Sequence, residues 1–321
     1  MSHGADSLKS IMYALGANLT IAVAKMAAAL YTGSGAMLAE AVHSLADTGN
    51  QVLLLIGLRL SKLPPSAEYP LGHGRAVYFW SFIVALLLFS MGGLFSIYEG
   101  IHKLSVHEGL QAPWLAVGIL AFSIVMESFS LWGCLREVNK VRGRRSLWRW
   151  FRDSRQSELI VVLGEDLAAL AGLSFAMAAV LLTIATGDPV FDAAGSIMIG
   201  VLLVVVAVGV GNEIKGLLIG QSVDDATRQA IADHIGGTPE VAALLNMITM
   251  QQGNDVVLAV KARMRPACSD LELMECINGV ERSIKKRFPQ VKWIFFEPDY
   301  TDGGDDDTDP RTGGDAGTAR G

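Results

Sequence analysis

Charged residues are scarce in this chain, and their scarcity excludes an ordinary soluble protein for most of its length. Only 18% of the 321 residues are Asp, Glu, Lys or Arg, whereas 51% are hydrophobic and the mean hydropathy is +0.39. Soluble domains average about 25% charged residues. Much of the chain is therefore expected to lie in membrane lipid. Much of the net charge of −6 comes from the acidic C-terminal tail, and we expect no nucleic-acid partner.

Cysteine is equally scarce and indicates neither a disulfide framework nor a structural metal site. Cys134, Cys268 and Cys276 lack the paired spacing of a zinc-binding motif. We interpret them as reduced, cytoplasmic thiols. The chain also lacks an HExxH sequence, which argues against a metal-dependent hydrolase within the membrane. We therefore expect no enzymatic activity and no cofactor.

Long apolar runs occupy the first two-thirds of the chain. Each helix that crosses a membrane needs about 20 predominantly apolar residues. Turn-forming sequences such as TGSG at 32–35 and GDP at 187–189 separate the runs. The sequence predicts six membrane-spanning helices, at about 8–31, 36–60, 77–103, 113–136, 158–185 and 189–211.

Basic residues are distributed unevenly among the links between these spans. The links after the second and fourth spans carry eleven Lys and Arg residues, whereas the opposite loops offer only Lys103. Because basic residues concentrate on the cytoplasmic side of a membrane, both termini are expected in the cytoplasm. We expect an integral, multi-pass protein of the plasma (inner) membrane.

The pattern changes after the sixth span. An amphipathic helix at 224–236 precedes two alternating strands at about 240–251 and 255–264, a second helix and the closing strand VKWIFFEP. This order predicts a membrane domain at 1–218 and a small α+β, ferredoxin-like cytoplasmic domain at 219–299. The acidic, glycine-rich tail at 300–321 is expected to be disordered. Because so small a domain benefits from a second copy, we also expect a homodimer.

His43 and Asp47 are the most informative residues of the second span. They are four residues apart and share one helix face. Two accessory candidates flank them, Glu40 one turn before and Asn50 one turn after. Ionisable groups at membrane depth are costly unless partnered, and they mark ion pathways or coordinated ions. A hydrogen-bonded packing pair is the structural alternative.

The fifth span contains an adjacent pair of acids, Glu165 and Asp166. Neighbours on a helix point about 100° apart, so at most one can aim straight at a shared site, and we favour Asp166. His43, Asp47 and Asp166 together could hold a divalent cation, whereas Glu165 could instead bond a neighbouring helix. Imidazole with carboxylate suits zinc, and also cobalt, nickel, iron or manganese. The other polar residues of the spans are interpreted as interhelical partners or snorkelling groups: Asn18, Lys25, Glu99 and Glu127.

Several motifs together resemble the cation diffusion facilitator family. They are TGSGAMLAEAVHSLADTGNQ in the second span, YPLGHGR before the third, the aspartate-bearing fifth span and the closing strand ending in EP. The resemblance covers about residues 8–299. It implies a six-span cation-efflux domain, a ferredoxin-like cytoplasmic domain and a homodimer that exchanges cytosolic divalent metal for protons.

The resemblance also implies a set of metal ligands. The family's second-span motif falls on His43 and Asp47, but of its usual fifth-span HxxxD only Asp166 matches, because Val162 stands at the histidine position. Glu165 is the obvious substitute, as in a divergent zinc-transporter branch that has an acidic pair at this point.

Two further metal sites known in the family are poorly matched. For the cytoplasmic-face site only Glu68 and His73 are accessory candidates, and Tyr69 stands where a histidine often does. In the closing strand Phe295 occupies the histidine position, and Glu297 alone cannot hold zinc. We therefore expect no regulatory metal binding in the terminal domain.

The predicted function is efflux of a divalent cation, with zinc favoured, by proton antiport with alternating access. Release of the cation would leave buried anionic groups unpaired, and bound protons can neutralise them. Histidine gains and loses a proton near neutral pH, so His43 is suited to exchange metal for proton. The alternatives are an exporter of manganese, iron or cobalt, a passive channel, and a membrane metal sensor that does not transport.

Overall fold

A computed structural model describes residues 7–32, 35–106, 113–266 and 269–301 of the chain. Within its helices, the side chains of residues 32, 35–40, 42, 43 and 106 are outside this description. The predicted disordered tail falls almost wholly outside the described residues. The chain forms two compact units, one up to Gln221 that includes Gln252–Asn254 and one from Ser222 onward. The predicted domain boundaries stay a prediction.

The first unit is a bundle of long helices, as the apolar runs predict. Their order is α1 (Ser7–Thr32), α2 (Gly35–Leu60), α3 (Ala76–Leu87), α4 (Phe95–Val106), α5 (Pro113–Arg142), α6 (Leu147–Asp153), α7 (Ser157–Thr186) and α8 (Val190–Ile219). A π-helical turn at Leu88–Leu94 joins α3 and α4 into one continuous segment. Six long helical segments are thus present among the described residues, in agreement with the six predicted spans.

Five of these segments are long and apolar enough to cross a membrane, counting only described residues: α1, the α3–α4 segment, α5, α7 and α8. The second helix, α2, has 26 residues, but its described part does not meet this criterion of length and apolar composition. Large apolar side chains such as Phe79, Val125 and Val205 are more than half exposed on the bundle surface. Apolar side chains on the outside are expected where the surrounding solvent is lipid. The protein is therefore an integral, multi-pass membrane protein.

Close backbone contact between α8 and the α3–α4 segment depends on glycine. A Cβ atom at Gly200 would lie 2.7 Å from the carbonyl oxygen of Gly93 and 2.6 Å from Cγ1 of Ile97. A Cβ atom at Gly93 would lie 2.6 Å from Cγ2 of Val204. Helices in membranes approach most closely at small residues. These glycines therefore set the distance between the two segments.

The basic link after α5 has more order than the sequence indicates. The fifth helix continues to Arg142, six residues past the expected end at 136, and its extension contains the ion pair of Glu137 with Lys140. A short helix, α6, then begins after Ser146, whose hydroxyl accepts a hydrogen bond from the backbone N–H of Arg149 at 3.3 Å. Trp150 of α6 is only 2% exposed. Burial of this one aromatic side chain anchors a segment that is otherwise basic.

The second unit has the predicted αββαβ order. It consists of α9 (Asp225–Gly236), β1 (Val241–Gln252), β2 (Asp255–Met264), α10 (Asp270–Arg287) and β3 (Val291–Pro298). The sheet order is β1-β2-β3, and β3 pairs parallel to β2 with Ala259 opposite Phe295. Val256, Leu258 and Val260 alternate into a core with Val280 and Ile284 of α10. The expected α+β architecture is confirmed.

Candidate metal site

On α2, Asp47 lies beside a partly open cavity. The cavity has a volume of about 410 Å³ and is lined by Asp47, Asn50 and apolar residues of α2 together with Leu88, Met91 and Gly92 of the π-helical turn. Most of this lining is apolar. Asp47 is the one acidic residue among the described residues that line the cavity. Irregular helical turns of this kind occur often at functional sites. The cavity gives the Asp47 carboxylate space that a close-packed helix face would deny it.

Glu165 of α7 is held by amide groups of α2. The side chain of Gln51 donates a hydrogen bond to Oε2 of Glu165 at 2.8 Å, and that of Asn50 donates to Oε1 at 3.4 Å. Glu165 is 7% exposed and interacts electrostatically with Asp47. The amides satisfy a carboxylate that lipid and apolar neighbours would leave without donors. Asn50 was an accessory candidate from the sequence, whereas Gln51 was not singled out.

Asp166 has a different partner on a different helix. The hydroxyl of Ser130, on α5, lies 3.1 Å from each carboxylate oxygen of Asp166, which is 2% exposed. Adjacent positions on α7 thus direct Glu165 to α2 and Asp166 to α5, as the 100° step per residue requires. Val162, at the position of the missing histidine, is completely buried in the apolar core.

Glu127 is a further buried carboxylate close to Asp47, Glu165 and Asp166. It is 6% exposed, lies one turn before Ser130 on α5, and interacts electrostatically with Asp47, Asp166 and Lys25 of α1. The interpretation as an interhelical partner fits the electrostatic interaction with Lys25, which is 8% exposed. The sequence signal that could have placed Glu127 at the site is its spacing from Ser130, since residues three apart share a helix face.

The predicted ligands are only partly brought together. Asp47, Glu165 and Asp166 interact electrostatically, directly or through Glu127. Among the described residues, however, no three acid, histidine or cysteine side chains are close enough to hold a metal ion. The side chains of His43 and Glu40 lie outside the described residues, so the set of candidate ligands is incomplete here.

The accessory residues of the α2–α3 link are not gathered into a metal site in the part of the chain that the structure describes. Glu68 is exposed. The imidazole of His73 packs against the ring of Tyr69 with 4.3 Å between ring centroids. The Glu99 side chain pairs with Lys103 at 3.4 Å, one turn further along α4, so this ion pair lies within one helix and not between helices.

In the terminal unit the carboxylates of the closing strand are engaged by a lysine. Lys261 pairs with Asp299 at 2.8 Å and with Glu297 at 3.7 Å. The hydrogen bond from Lys261 lowers the pKa of Asp299, and the Asp299 carboxylate in turn raises the pKa of Lys261. Glu297 therefore has a structural partner in this fold.

Known proteins resemble both the membrane unit and the chain as a whole. The cation efflux transmembrane domain matches residues 11–218. The proton-coupled zinc antiporter SLC30A9, mitochondrial, of Xenopus laevis is 34% identical over 231 residues, which are 71% of this chain and 41% of that protein. Metal tolerance protein C4 of Arabidopsis thaliana is 31% identical over 225 residues, 68% of this chain and 48% of that protein.

A bacterial relative is matched over most of its length. The cation-efflux pump FieF of Cronobacter sakazakii is 26% identical over 279 residues, 86% of this chain and 87% of that protein. The chain spans less than half the length of the two eukaryotic relatives above. Since the efflux domain accounts for well over half of the present sequence, the chain belongs to the cation diffusion facilitator family.

Proposed function

We propose that this protein exports a divalent metal cation, with zinc favoured, in exchange for protons. The observation that carries the proposal is the group of four buried or half-buried carboxylates inside the helix bundle: Asp47, Glu127, Glu165 and Asp166. Such a concentration of negative charge in a membrane interior is costly without a cation. A relative named as a proton-coupled zinc antiporter supports zinc as the substrate and protons as the counter-ion.

The ligands we propose are His43 and Asp47 of α2 with Asp166 of α7, and Glu165 as the fourth. Glu165 stands beside Asp166 where Val162 offers no histidine, and it is already oriented toward α2 by Gln51. One imidazole with three carboxylates satisfies a tetrahedral zinc ion. We expect metal binding to reorient these side chains or their helices, since the carboxylates do not converge in the described part of the chain.

Proton coupling follows from charge. When the dication leaves, the carboxylates repel one another in a poorly solvated interior, and protons are the smallest cations that can neutralise them. Returning metal then displaces those protons, because ligands bind metal in their deprotonated form. Rocking of the helices would expose the site alternately to the two sides.

The basic links support a cytoplasmic location for both termini, and transport would then run out of the cytoplasm. The plasma (inner) membrane is our proposal for its location, and the mitochondrial relatives make the mitochondrial membrane the alternative. A homodimer is likewise proposed, on the small size of the terminal unit.

Zinc flux in proteoliposomes tests the proposal. Wild-type protein should accumulate zinc against its gradient when an opposing pH gradient is imposed, and should stop when an ionophore abolishes the pH gradient. His43→Ala and Asp47→Ala should each abolish flux, whereas Glu99→Gln, at the ion pair with Lys103, should leave it unchanged. Zinc flux that is the same with and without the pH gradient, and the same in wild type and His43→Ala, would refute antiport.

An exporter of manganese, iron or cobalt is the second candidate, and the oxygen-rich group of side chains favours it. Harder divalent cations prefer carboxylate oxygen, and only one histidine is among the proposed ligands. A panel of divalent cations in the same liposomes distinguishes the substrates. A protein that binds metal in this assay without moving it would be a sensor.

A further inference from the structure

Glu158 is a second buried carboxylate on α7 that the proposed metal site does not use. It is 3% exposed, in the first turn of the helix. The hydroxyl of Ser7, on α1, donates a hydrogen bond to its Oε1 at 2.6 Å. Ser157 and Tyr78, both completely buried, are its other polar neighbours. Within the described ranges, no lysine, arginine or histidine forms an ion pair with it.

The start of a helix favours a negative charge, but that does not explain the burial. A carboxylate in the first turn also gains from the helix dipole when it is exposed to water, although solvent and salt make that gain smaller. Burial adds a desolvation cost, which the hydroxyls of Ser7 and Ser157 and a backbone N–H offset without any cationic partner among the described residues. A group that is stable both as a carboxylate and as a carboxylic acid tolerates such surroundings, because the Ser7 hydroxyl can donate to the first and accept from the second.

The position of Glu158 relative to Glu165 is regular. The two residues are seven apart on α7, which places them on one face about 10 Å apart along the axis. Val161 and Val162 lie between them, and both are at most 1% exposed. They belong to an apolar core with Leu54 of α2. An apolar layer therefore separates Glu158 from the carboxylates of the metal site.

The end of the bundle that holds Glu158 also carries most of the basic residues. The link that leads into α7 contains Arg149, Arg152 and Arg155. Tyr78 of α3 is the titratable group that interacts electrostatically with Glu158, and Arg155 interacts in turn with Tyr78. Among the described neighbours, α1 contributes the Ser7 hydroxyl and no charged partner.

We infer that Glu158 accepts the protons that leave the metal site toward this basic end and passes them to water there. The inference rests on the proposed proton antiport. A cation that binds the site displaces a proton, which crosses the layer of Val161 and Val162 through water admitted when the helices separate. Glu158 takes up that proton as a new O–H bond and releases it to water on the basic side, so that its carboxylate is restored.

Simultaneous zinc and proton fluxes in proteoliposomes test the inference on the full chain. Glu158→Gln should bind zinc in detergent within about twofold of wild type, because it is remote from the proposed ligands, but should transport zinc and protons at least about tenfold more slowly. Glu137→Gln is the matched control, since Glu137 is a 2% exposed acid at the same end that pairs with Lys140. It should retain wild-type flux within about twofold.

Two variants guard against a merely structural effect. Glu158→Asp keeps the carboxyl group and should recover at least half of the wild-type flux. Ser7→Ala removes the hydroxyl partner and should shift the pH dependence of transport while zinc affinity stays unchanged. If Glu158→Gln carries protons and zinc at the wild-type rate, or if folded Glu158→Asp is as slow as Glu158→Gln, the inference is wrong. Wild-type zinc transport without proton movement would instead refute the antiport itself.

Discussion

Glu165 and Asp166 have different partners because the side chains of adjacent residues on a helix point about 100° apart. Glu165 meets two amides of α2, whereas Asp166 meets a hydroxyl of α5. The pair therefore links three helices, and a cation that binds one carboxylate affects the contacts of both.

Gln51 is expected to position Glu165 for metal binding. Gln51→Leu removes the 2.8 Å hydrogen bond to Glu165, and a hydrogen bond to a charged group contributes about 1.5–3 kcal/mol. We predict zinc affinity at least about tenfold weaker, measured by calorimetry on purified protein. Thr48→Val is the control, because the Thr48 hydroxyl bonds only to the backbone oxygen of Ser44 on the same helix. Equal affinities for the two variants would show that the amide has no such role.

Glu127 is expected to attract the cation through its charge. Glu127→Gln keeps the shape of the side chain but removes one negative charge that interacts with Asp47 and Asp166. At an effective dielectric constant of about 20, such an interaction with a dication amounts to more than 1 kcal/mol, so we predict about tenfold weaker zinc binding. Calorimetry with Glu99→Gln as the control measures this. Unchanged affinity would limit Glu127 to its electrostatic interaction with Lys25.

At the scale of the helices, the crossing of α8 with the α3–α4 segment sets the width of the bundle near the cavity. Gly200 allows backbone contact there, and Leu203, three residues further along α8, packs with Leu88 of the π-helical turn. That turn also lines the cavity beside Asp47. Packing of α8 therefore supports the wall of the candidate site.

Gly200→Ala should lower the melting temperature of the detergent-solubilised protein. The added methyl group would lie 2.7 Å from a backbone oxygen of α3–α4, and overpacking of this kind costs about 1–3 kcal/mol. Gly209→Ala, on the same helix with nothing within 4 Å of the new Cβ, should be neutral or stabilising. A melting temperature that changes equally in both variants would show that the crossing tolerates a side chain.

At the scale of the whole molecule, the terminal unit leaves apolar side chains uncovered on its sheet. Ile248 of β1 is 62% exposed and Phe295 of β3 is 58% exposed, although Phe296 next to it packs against the core. A small domain with an open apolar sheet face is suited to pairing. These side chains supply a physical reason for the proposed homodimer.

Light scattering in detergent should therefore give a protein mass of twice 34.3 kDa for the wild type. Phe295→Glu should shift the population toward monomer, because a charge on a paired apolar face is costly. Leu271→Glu, at a 66% exposed position on α10, should remain dimeric. A wild-type protein that is monomeric at micromolar concentration would contradict the proposal.

The six long helical segments, the αββαβ order and the family could be predicted from the sequence because each depends on local information. Hydropathy reports the length of α1 or α7 directly, since lipid requires about 20 apolar residues in a row. The limits of this information appear at α5 and α6, where polar residues continue a helix into the basic link. There α6 is held in place by the burial of Trp150, which hydropathy does not predict.

The sequence by itself determined which carboxylates lie in the membrane and which of them share a helix face, because helical periodicity follows from spacing alone. Only the tertiary structure decided what each one meets. Gln51 and Ser130 become partners of Glu165 and Asp166 only because α2 and α5 pack against α7. Glu127 and Glu158 likewise interact with residues of helices that are distant in sequence. Contacts between helices depend on their rotation and crossing, which no single segment specifies.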